Sequence, residues 1–429
     1  MKRIDLTITA LSPLAIGQRK PGGSVSEALS YIPGTVIRGA IAKQILKQAG
    51  EEPTEGDDFH NLFLDETAAV FRNGYCAIAQ TTPGQYALSE QAQVLPTTAL
   101  SSKANPGFKP NHAGVFDSLI DSYCAKAQGH FYAPNDIEGD LVEPFSGFYS
   151  KEGDSYRVHT VNKRLLTRVG INRRRATAQD EILYSLEVMN ESQGGSLSGQ
   201  SQESVQTAFK SSILVEDVSA QEGGELADLL YSFLQQRCTH LRLGGSASRG
   251  LGRVQIALNK PTEASAPYLR DRINNFNNRL KERWKLWSLL GGLDASEIKE
   301  RTFLSLTLQS DAILTECWRR TIVISPDMLA ALISVDDAVS EADITLHAAH
   351  SSYGYRSGWN AAWGLPKDTE LVTNKGSVML LSLPTEKVDG CIAALEKLEQ
   401  RGIGDRCEEG YGQVRVCDEF HLVMREESV

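Results

Sequence analysis

The sequence predicts an α+β fold made of two copies of one small unit. The first observation behind this is a glycine-rich element that occurs twice. Leu243-Gly244-Gly245-Ser246-Ala247-Ser248-Arg249-Gly250-Leu251-Gly252-Arg253-Val254-Gln255-Ile256 lies near the middle, and Ile403-Gly404-Asp405-Arg406-Cys407-Glu408-Glu409-Gly410-Tyr411-Gly412-Gln413-Val414-Arg415-Val416 near the end. Placing Gly250 on Gly410 also places Gly244 on Gly404, Gly252 on Gly412, Val254 on Val414 and Ile256 on Val416. The second observation is that an amphipathic helical pattern precedes each copy, and the third is that an alternating strand pattern follows each. Glycine permits positive φ and close backbone approach, which suits a loop lying against a phosphate-rich ligand. Duplication of helix, loop and strand points to a repeated unit.

The elements follow in order. Ile4, Leu6 and Ile8 alternate along a first strand, 4–10. Residues 35–48 predict a helix, with Thr35 as N-cap, a stripe of Ile37, Ile41 and Ile45, and Gly50 as the stop. Residues 51–150, rich in proline, read as a loop-rich insertion in the first unit, with part of it free to extend over a partner. Residues 156–190 read as a strand pair joined by a basic segment, and 191–207, rich in Ser, Gln and Gly, as a mobile loop. Glu225 to Cys238 predicts a second helix with Leu226, Leu229, Leu230, Phe233 and Leu234 on one face. The glycine loop and a strand over 254–258 complete a strand, helix, strands, helix, strand order, which is ferredoxin-like or RRM-like.

A linker, 259–267, then leads to a bridging helix over 270–290 that carries Ile273, Phe276, Leu280, Trp284 and Trp287. The second unit restarts at Phe303 to Leu308, which echoes Leu6 to Leu11. It continues with a strand over 377–383, a helix over 385–401 burying Val388, Ile392, Leu395 and Leu398, the second loop, and a last strand to Phe420. No counterpart of the Thr35 helix shows in the pattern, so this copy reads as degenerate. The expected division is a first unit 1–258, a linker and bridging helix 259–299, and a second unit 300–429.

Composition narrows the function. The chain has 429 residues, 41% hydrophobic and 23% charged, which are the values of a globular protein with real cores. No apolar run is long enough for a bilayer, and the N-terminus enters a strand pattern at once, so neither membrane span nor signal peptide is expected. The seven cysteines are scattered without a C-x-x-C pair, which predicts neither disulfide framework nor zinc site and fits a reducing cytoplasm. A net charge of -10 argues against a free-standing, non-specific nucleic-acid binder. The charge is nevertheless segregated. Between Arg157 and Arg175 stand Arg157, Lys163, Arg164, Arg168, Arg173, Arg174 and Arg175 with no Asp or Glu. Asp136, Glu138, Asp140, Glu143, Glu152 and Asp154 gather just upstream. One basic path in an acidic shell is what an RNA-holding subunit of an assembly would show.

Several stretches carry a family resemblance. The form Gly244-Gly245-Ser246-Ala247-Ser248-Arg249-Gly250-Leu251-Gly252-Arg253-Val254 resembles the C-terminal glycine-rich loop of the RAMP superfamily of CRISPR-associated RNA-binding proteins. Leu11 to Gly17, Tyr31 to Ala40, Arg168 to Arg173 followed by Thr177-Ala178, and Leu183 to Glu187 match in the expected order. Gly358 to Pro366 and Gly402-Ile403-Gly404 resemble the two-module RAMP subunit of type III-D effectors, related to the group that holds the 5′ handle of the guide RNA. The resemblance implies two RAMP units that bind guide RNA.

The candidate RNA contacts are graded by chemistry. The loop residues Gly244, Gly245, Ser246, Ser248, Arg249 and Gly250 offer a backbone cradle with added hydrogen bonds, or else a tight packing turn. In the second copy Glu408 and Glu409 replace Ser248 and Arg249, so that loop is expected to be structural or to face protein. Lys163, Arg164, Arg168, Arg173, Arg174 and Arg175 suit bidentate phosphate contacts, or an acidic neighbour. Arg38, near a helix start, would reinforce an anion site there. Tyr353, Tyr355, Trp359 and Trp363 with Arg356 would stack bases or form an interface.

Signals for catalysis are weak. His347 and His350 would bind metal only on a helix and lack a further ligand. His159 is a candidate general base with no partner acid, and Asp136 and Asp140 are unremarkable carboxylates. No phosphate-binding G-x-x-x-x-G-K-[ST] or Gly-Asp-Asp motif occurs. The expectation is a non-catalytic, cofactor-free guide-RNA-binding subunit of a type III effector. It would hold the 5′ repeat-derived handle, dock the large polymerase-like subunit and RAMP backbone subunits, and meet target RNA indirectly. The alternatives are a metal-free endoribonuclease that processes guide precursor, and a purely structural subunit.

Overall fold

The computed structural model describes the chain except for residues 19–26, 51, 66–67, 83–84, 90–91, 173, 176, 195, 198–203, 220–223, 239–240, 266–267, 291–297, 299, 335–338 and 361–363. It is a mixed α/β structure with mostly antiparallel sheets. Two compact units interleave in sequence. The first holds Met1–Ala92, His159–Glu263 and Tyr355–Glu370, and the second Gln93–Val158, Ala264–Gly354 and Leu371–Val429. This differs from the contiguous division 1–258, 259–299 and 300–429. The 51–150 segment is divided at Ala92, because its later part is buried with the second unit. Leu119, Ile120 and Cys124 share a core with Leu280 and Trp284, while Leu95, Phe116 and Tyr149 pack with Phe420.

In the first unit β1 (Lys2–Ala10) has Ile4, Leu6 and Ile8 fully buried, as its alternation predicts. Helix α1 (Gly34–Ala49) buries Ile37 and Ile41 and stops at Gly50, which has φ 70° and an N–H bonded to the Leu46 carbonyl. Thr35 is not its N-cap. Pro33 holds that position, and the Gly34 N–H donates instead to Asn73 Oδ1 at 2.8 Å, a tertiary contact that satisfies the helix end. A short helix α2 (Asp58–Phe63) and strands β2 (Val70–Phe71) and β3 (Tyr75–Cys76) follow.

Strands β4 (Lys163–Asn172) and β5 (Thr177–Met189) pair as a hairpin, but most of the basic segment forms β4 itself rather than the link between two strands, and Ser155–His159 is a separate strand. In the 191–207 stretch, Ser192–Gly194 pairs with Ser204–Gln206, and residues 195 and 198–203 lie outside the described residues. Strand β6 (Ala208–Val215), helix α3 (Leu226–Arg237) and strand β7 (Val254–Leu258) complete a sheet of order β7-β1-β6-β2, with β3 also on β6. Helix α3 buries Leu226, Leu230 and Leu234, but Leu229 is exposed, so its apolar stripe is narrower than the sequence suggests. Within the 259–267 linker, Thr262–Glu263 adds to β1 as a further strand.

After its Gln93–Val158 part, the second unit continues with α4 (Leu269–Ser288). This helix is a core element of its unit rather than a bridge. Ile273, Phe276, Leu280 and Trp284 are buried, and Asn277 exchanges hydrogen bonds of 2.9 and 2.8 Å with the Phe303 backbone of β8 (Arg301–Leu308). A hairpin of β9 (Leu314–Glu316) and β10 (Arg319–Thr321) comes next, then α5 (Pro326–Ile333). Helix α5 stands where no counterpart of α1 was expected. Eight residues are too few for a clear periodic pattern, although Ser325 caps it by accepting from Met328 N at 3.1 Å. Strands β11 (Thr345–His350) and β12 (Val378–Pro384), helix α6 (Thr385–Arg401) and strand β13 (Val414–Val416) give a sheet of order β11-β12-β8-β13.

Both sheets therefore run last, first, third, second. Ile8 lies opposite Ile256, and Leu306 lies opposite Val416. The structure thus equates Ile8 with Leu306, one residue away from the sequence echo of Leu6 in Phe303. Residues Phe303 to Leu308 are buried on both faces, so their pattern carries no register. Among the described residues no helix is long and apolar enough to cross a membrane.

Candidate nucleic-acid interface

The first glycine loop lies between α3 and β7 and rests on the chain leaving β1. Gly245 N donates to Ala15 O at 2.8 Å and Gly252 N to Pro13 O at 3.0 Å. Gly244, Gly250 and Gly252 have φ of 85°, 87° and 82°, and Ser246 is also left-handed at 58°. A Cβ on Gly244 would sit 2.6 Å from the Ala15 carbonyl, and one on Gly252 2.5 Å from the Leu243 carbonyl. These two glycines therefore serve backbone packing inside the protein, the tight-turn reading that the sequence left open beside a cradle. Gly250 differs, because nothing lies within 4 Å of its would-be Cβ. Ser248 and Arg249 belong to the exposed turn Ala247–Arg249 just before it.

The hairpin meets this loop. On one face of β4 stand Arg164, Leu166 and Arg168, opposite Val188, Leu186 and Tyr184 of β5. Leu166 and Leu186 pack with Val188, Ala15 and Leu251, which fastens the loop to the hairpin base. The Arg249 guanidinium lies 5.4 Å over the Tyr184 ring and donates to its hydroxyl. Two stretches that the sequence presents separately are thus one surface. Tyr184 is the residue that sequence reasoning missed as a site member. The sequence marked it only as part of the family-like stretch Leu183 to Glu187 and by its place on a strand, and its cross-strand partner Arg168 becomes visible only with the register.

The basic residues divide along the hairpin. Lys163 Nζ donates to Ala28 O at 2.5 Å and lies 3.9 Å from Glu187, while Arg164 pairs with Glu191 at 3.0 Å. These charges at the base are offset by carboxylates. Arg168 is partly buried, Arg174 and Arg175 are exposed at the tip, and Arg173 lies outside the described residues. The opposite face exposes Leu165, Val169, Ile171 and Leu183. Arg38 is engaged elsewhere, donating to the Phe63 carbonyl and lying 5.9 Å over the Phe63 ring at the end of α2.

The remaining candidates are placed as follows. His159 is 2% exposed, which removes it from direct reach of a bound ribose. Asp136 Oδ1 accepts from Asp140 N at 2.7 Å and shapes a turn. His347 and His350 lie on strand β11, not on a helix. His347 Nε2 meets Ser382 Oγ at 2.8 Å, and burial, aided by Arg301, pushes its pKa down to about 4. No cluster of three metal-ligating side chains occurs among the described residues. Tyr353 and Tyr355 are exposed; Trp363 and the Trp359 side chain fall outside the description.

The second loop repeats the first bond for bond. Asp405 N donates to Ile313 O at 2.8 Å and Gly412 N to Asp311 O at 2.9 Å. Gly404, Arg406, Gly410 and Gly412 have φ of 90°, 60°, 93° and 65°. Its side chains differ. Glu409 is buried and pairs with Arg406, whose guanidinium lies 5.3 Å over Tyr411.

A mixed α/β chain whose glycine loop closes a sheet beside a basic hairpin defines a class, and the sequence fits one known family. The RAMP superfamily matches over residues 7–255, and the chain belongs to that superfamily. No curated protein matches it. Among solved structures it is similar to a chain of a type III-B Cmr-beta complex bound to cognate target RNA, at 12% identity, 90% of this chain, 88% of that chain and a TM-score of 0.38. A chain of type III-B Cmr-beta in the apo state gives 13% identity, 60% and 97% coverage and a TM-score of 0.30. A chain of a type IV-B CRISPR complex gives 13%, 60%, 90% and 0.26.

Proposed function

We propose that the protein is a non-catalytic guide-RNA-binding subunit of a type III CRISPR effector, most like the type III-D two-module RAMP subunit. Each four-stranded order with its helices is one ferredoxin-like unit. The protein holds the 5′ repeat-derived handle in the cytoplasm and docks the large polymerase-like subunit and RAMP backbone subunits. It meets target RNA through the guide. The observation that carries this reading is the joining of Arg249 of the glycine loop to Tyr184 of the basic hairpin, which makes one cationic and aromatic surface. Arg174 and Arg175 stand exposed at the hairpin tip and serve as phosphate ligands. Burial of His159 supports binding over cleavage.

The test is RNA binding by the full chain, with a repeat-derived handle RNA as probe. Arg173→Glu, Arg174→Glu and Arg175→Glu together should weaken affinity more than tenfold. The slope of log affinity against log salt should flatten by roughly 0.7 per lost phosphate contact. Unchanged affinity and slope would favour docking on an acidic protein. Specific cleavage of repeat RNA by the wild-type chain, lost in His159→Ala, would replace this reading with a metal-free processing endoribonuclease.

A further inference from the structure

The β9–β10 hairpin of the second unit ends in an unusual tip. Glu316 pairs with Arg319, so the loop is only Cys317-Trp318. Both residues are left-handed, with φ of 47° and 64°. Two-residue hairpin loops of this hand favour Asn-Gly, because a side chain strains the left-handed backbone. Here the strained position carries tryptophan, and its side chain is 100% exposed. Neither stability nor solubility accounts for placing a large apolar ring on a strained tip in water. Strain held in this way marks a position kept for an interaction.

Side-chain contacts tie down the base of the hairpin. Thr315 Oγ1 donates to Asp405 Oδ2 at 2.9 Å, Arg320 pairs with the same carboxylate, and the Ser325 hydroxyl donates to Glu316. The acids at the hairpin base are thereby engaged, while Arg319, the residue after Trp318, is exposed. An exposed indole followed directly by an exposed arginine matches an unpaired nucleobase and its phosphate. A purely apolar protein pocket would leave the guanidinium without a counter-charge.

We propose that Trp318 stacks on an unpaired base of single-stranded RNA while Arg319 meets the adjacent phosphate, giving the second unit an RNA contact of its own. This rests on the RNA-binding reading above. The test uses the full chain and a short single-stranded RNA carrying iodouridine. Trp318→Ala should weaken binding roughly five- to a hundredfold and leave the salt slope unchanged, since the ring carries no charge. Irradiation of the wild-type complex should cross-link RNA to Trp318. A turn repair, Cys317→Asn with Trp318→Gly, should raise the thermal midpoint yet lose the same affinity, which separates the ring from folding.

Wild-type affinity in both variants without a cross-link at Trp318 would overturn the proposal. If Arg174→Ala with Arg175→Ala still weakened binding, the RNA-binding reading would stand without it. Intact RNA binding together with lost association of a partner protein in Trp318→Ala would also overturn it, in favour of a protein contact. Absence of RNA binding by the wild-type chain would end both readings.

Discussion

In the first glycine loop Arg249 reaches out to Tyr184 of a separate hairpin, whereas in the second Arg406 folds back over Tyr411 and pairs with Glu409 of the loop itself. The backbones under these side chains are alike. Each loop hangs from the chain that leaves the first strand of its sheet, Pro13 to Ala15 in one case and Asp311 to Ile313 in the other, through the same pair of hydrogen bonds. Glycine at the contact points sustains this backbone whatever the loop carries. The difference teaches that the glycines belong to the scaffold, and that the two loops are told apart by the side chains between them.

The largest expected effect tests that division. Gly244→Ala and Gly412→Ala would bring Cβ to 2.6 Å and 1.9 Å from the Ala15 and Ile403 carbonyls at positive φ. Each should lower stability by more than about 2 kcal/mol. Gly250→Ala meets nothing within 4 Å and should cost only about 1 kcal/mol for its left-handed backbone. Urea denaturation midpoints measure all three, and equal losses would erase the distinction between packed and open glycines.

A smaller effect sharpens the contrast in side chains. Arg249→Ala should reduce handle-RNA affinity severalfold and flatten the salt slope by roughly 0.7. Tyr184→Leu should cost affinity with little change in slope, since it removes only the platform. Glu408→Ala should leave RNA binding unchanged. Glu409→Ala should lower stability instead, because it removes the buried carboxylate that accepts from Arg406. Weaker RNA binding in Glu408→Ala would mean that the second loop also faces RNA.

The smallest effect concerns the strand that supports the second loop. His421 is fully buried 3.1 Å from Asp117, and its Nε2 lies 2.9 Å from Thr307 Oγ1 on β8. Burial pushes its pKa down, but Asp117, with Asp418 adding, outweighs this and holds it above the usual 6.5. Its contribution to stability is therefore full below about 6.5 and is lost as pH rises through the raised value. His347 has the opposite sign. Its pKa of about 4 makes its contribution full above the usual 6.5 and lost as pH falls toward 4. Thermal midpoints against pH should flatten on the alkaline side in His421→Gln and on the acid side in His347→Gln.

Much of the fold was legible where local signals are strong. Helix α6 spans Thr385–Arg401 as its periodicity predicts, and the stop of α1 at Gly50 follows from glycine at a left-handed position. Helix α5 was hidden by its length. The stripe on α4 showed that one face is buried but not which core it enters, because amphipathicity carries no address. At the candidate site Arg249 and the hairpin arginines were found one by one. Their meeting, and the carboxylates that offset Lys163 and Arg164, required the register of β4 against β5.

By itself the sequence determined the repeated helix, loop and strand, the family, and the concentration of positive charge between Arg157 and Arg175. These are properties of residue type and short spacing, where sterics at glycine and the periods of helix and strand act locally. Only the tertiary structure decided that Gly244 packs against Ala15, that Tyr184 receives Arg249, and that Trp318 is exposed on a strained tip. Those outcomes depend on which distant backbone arrives at each position, and chain closure over tens or hundreds of residues leaves no trace in local pattern.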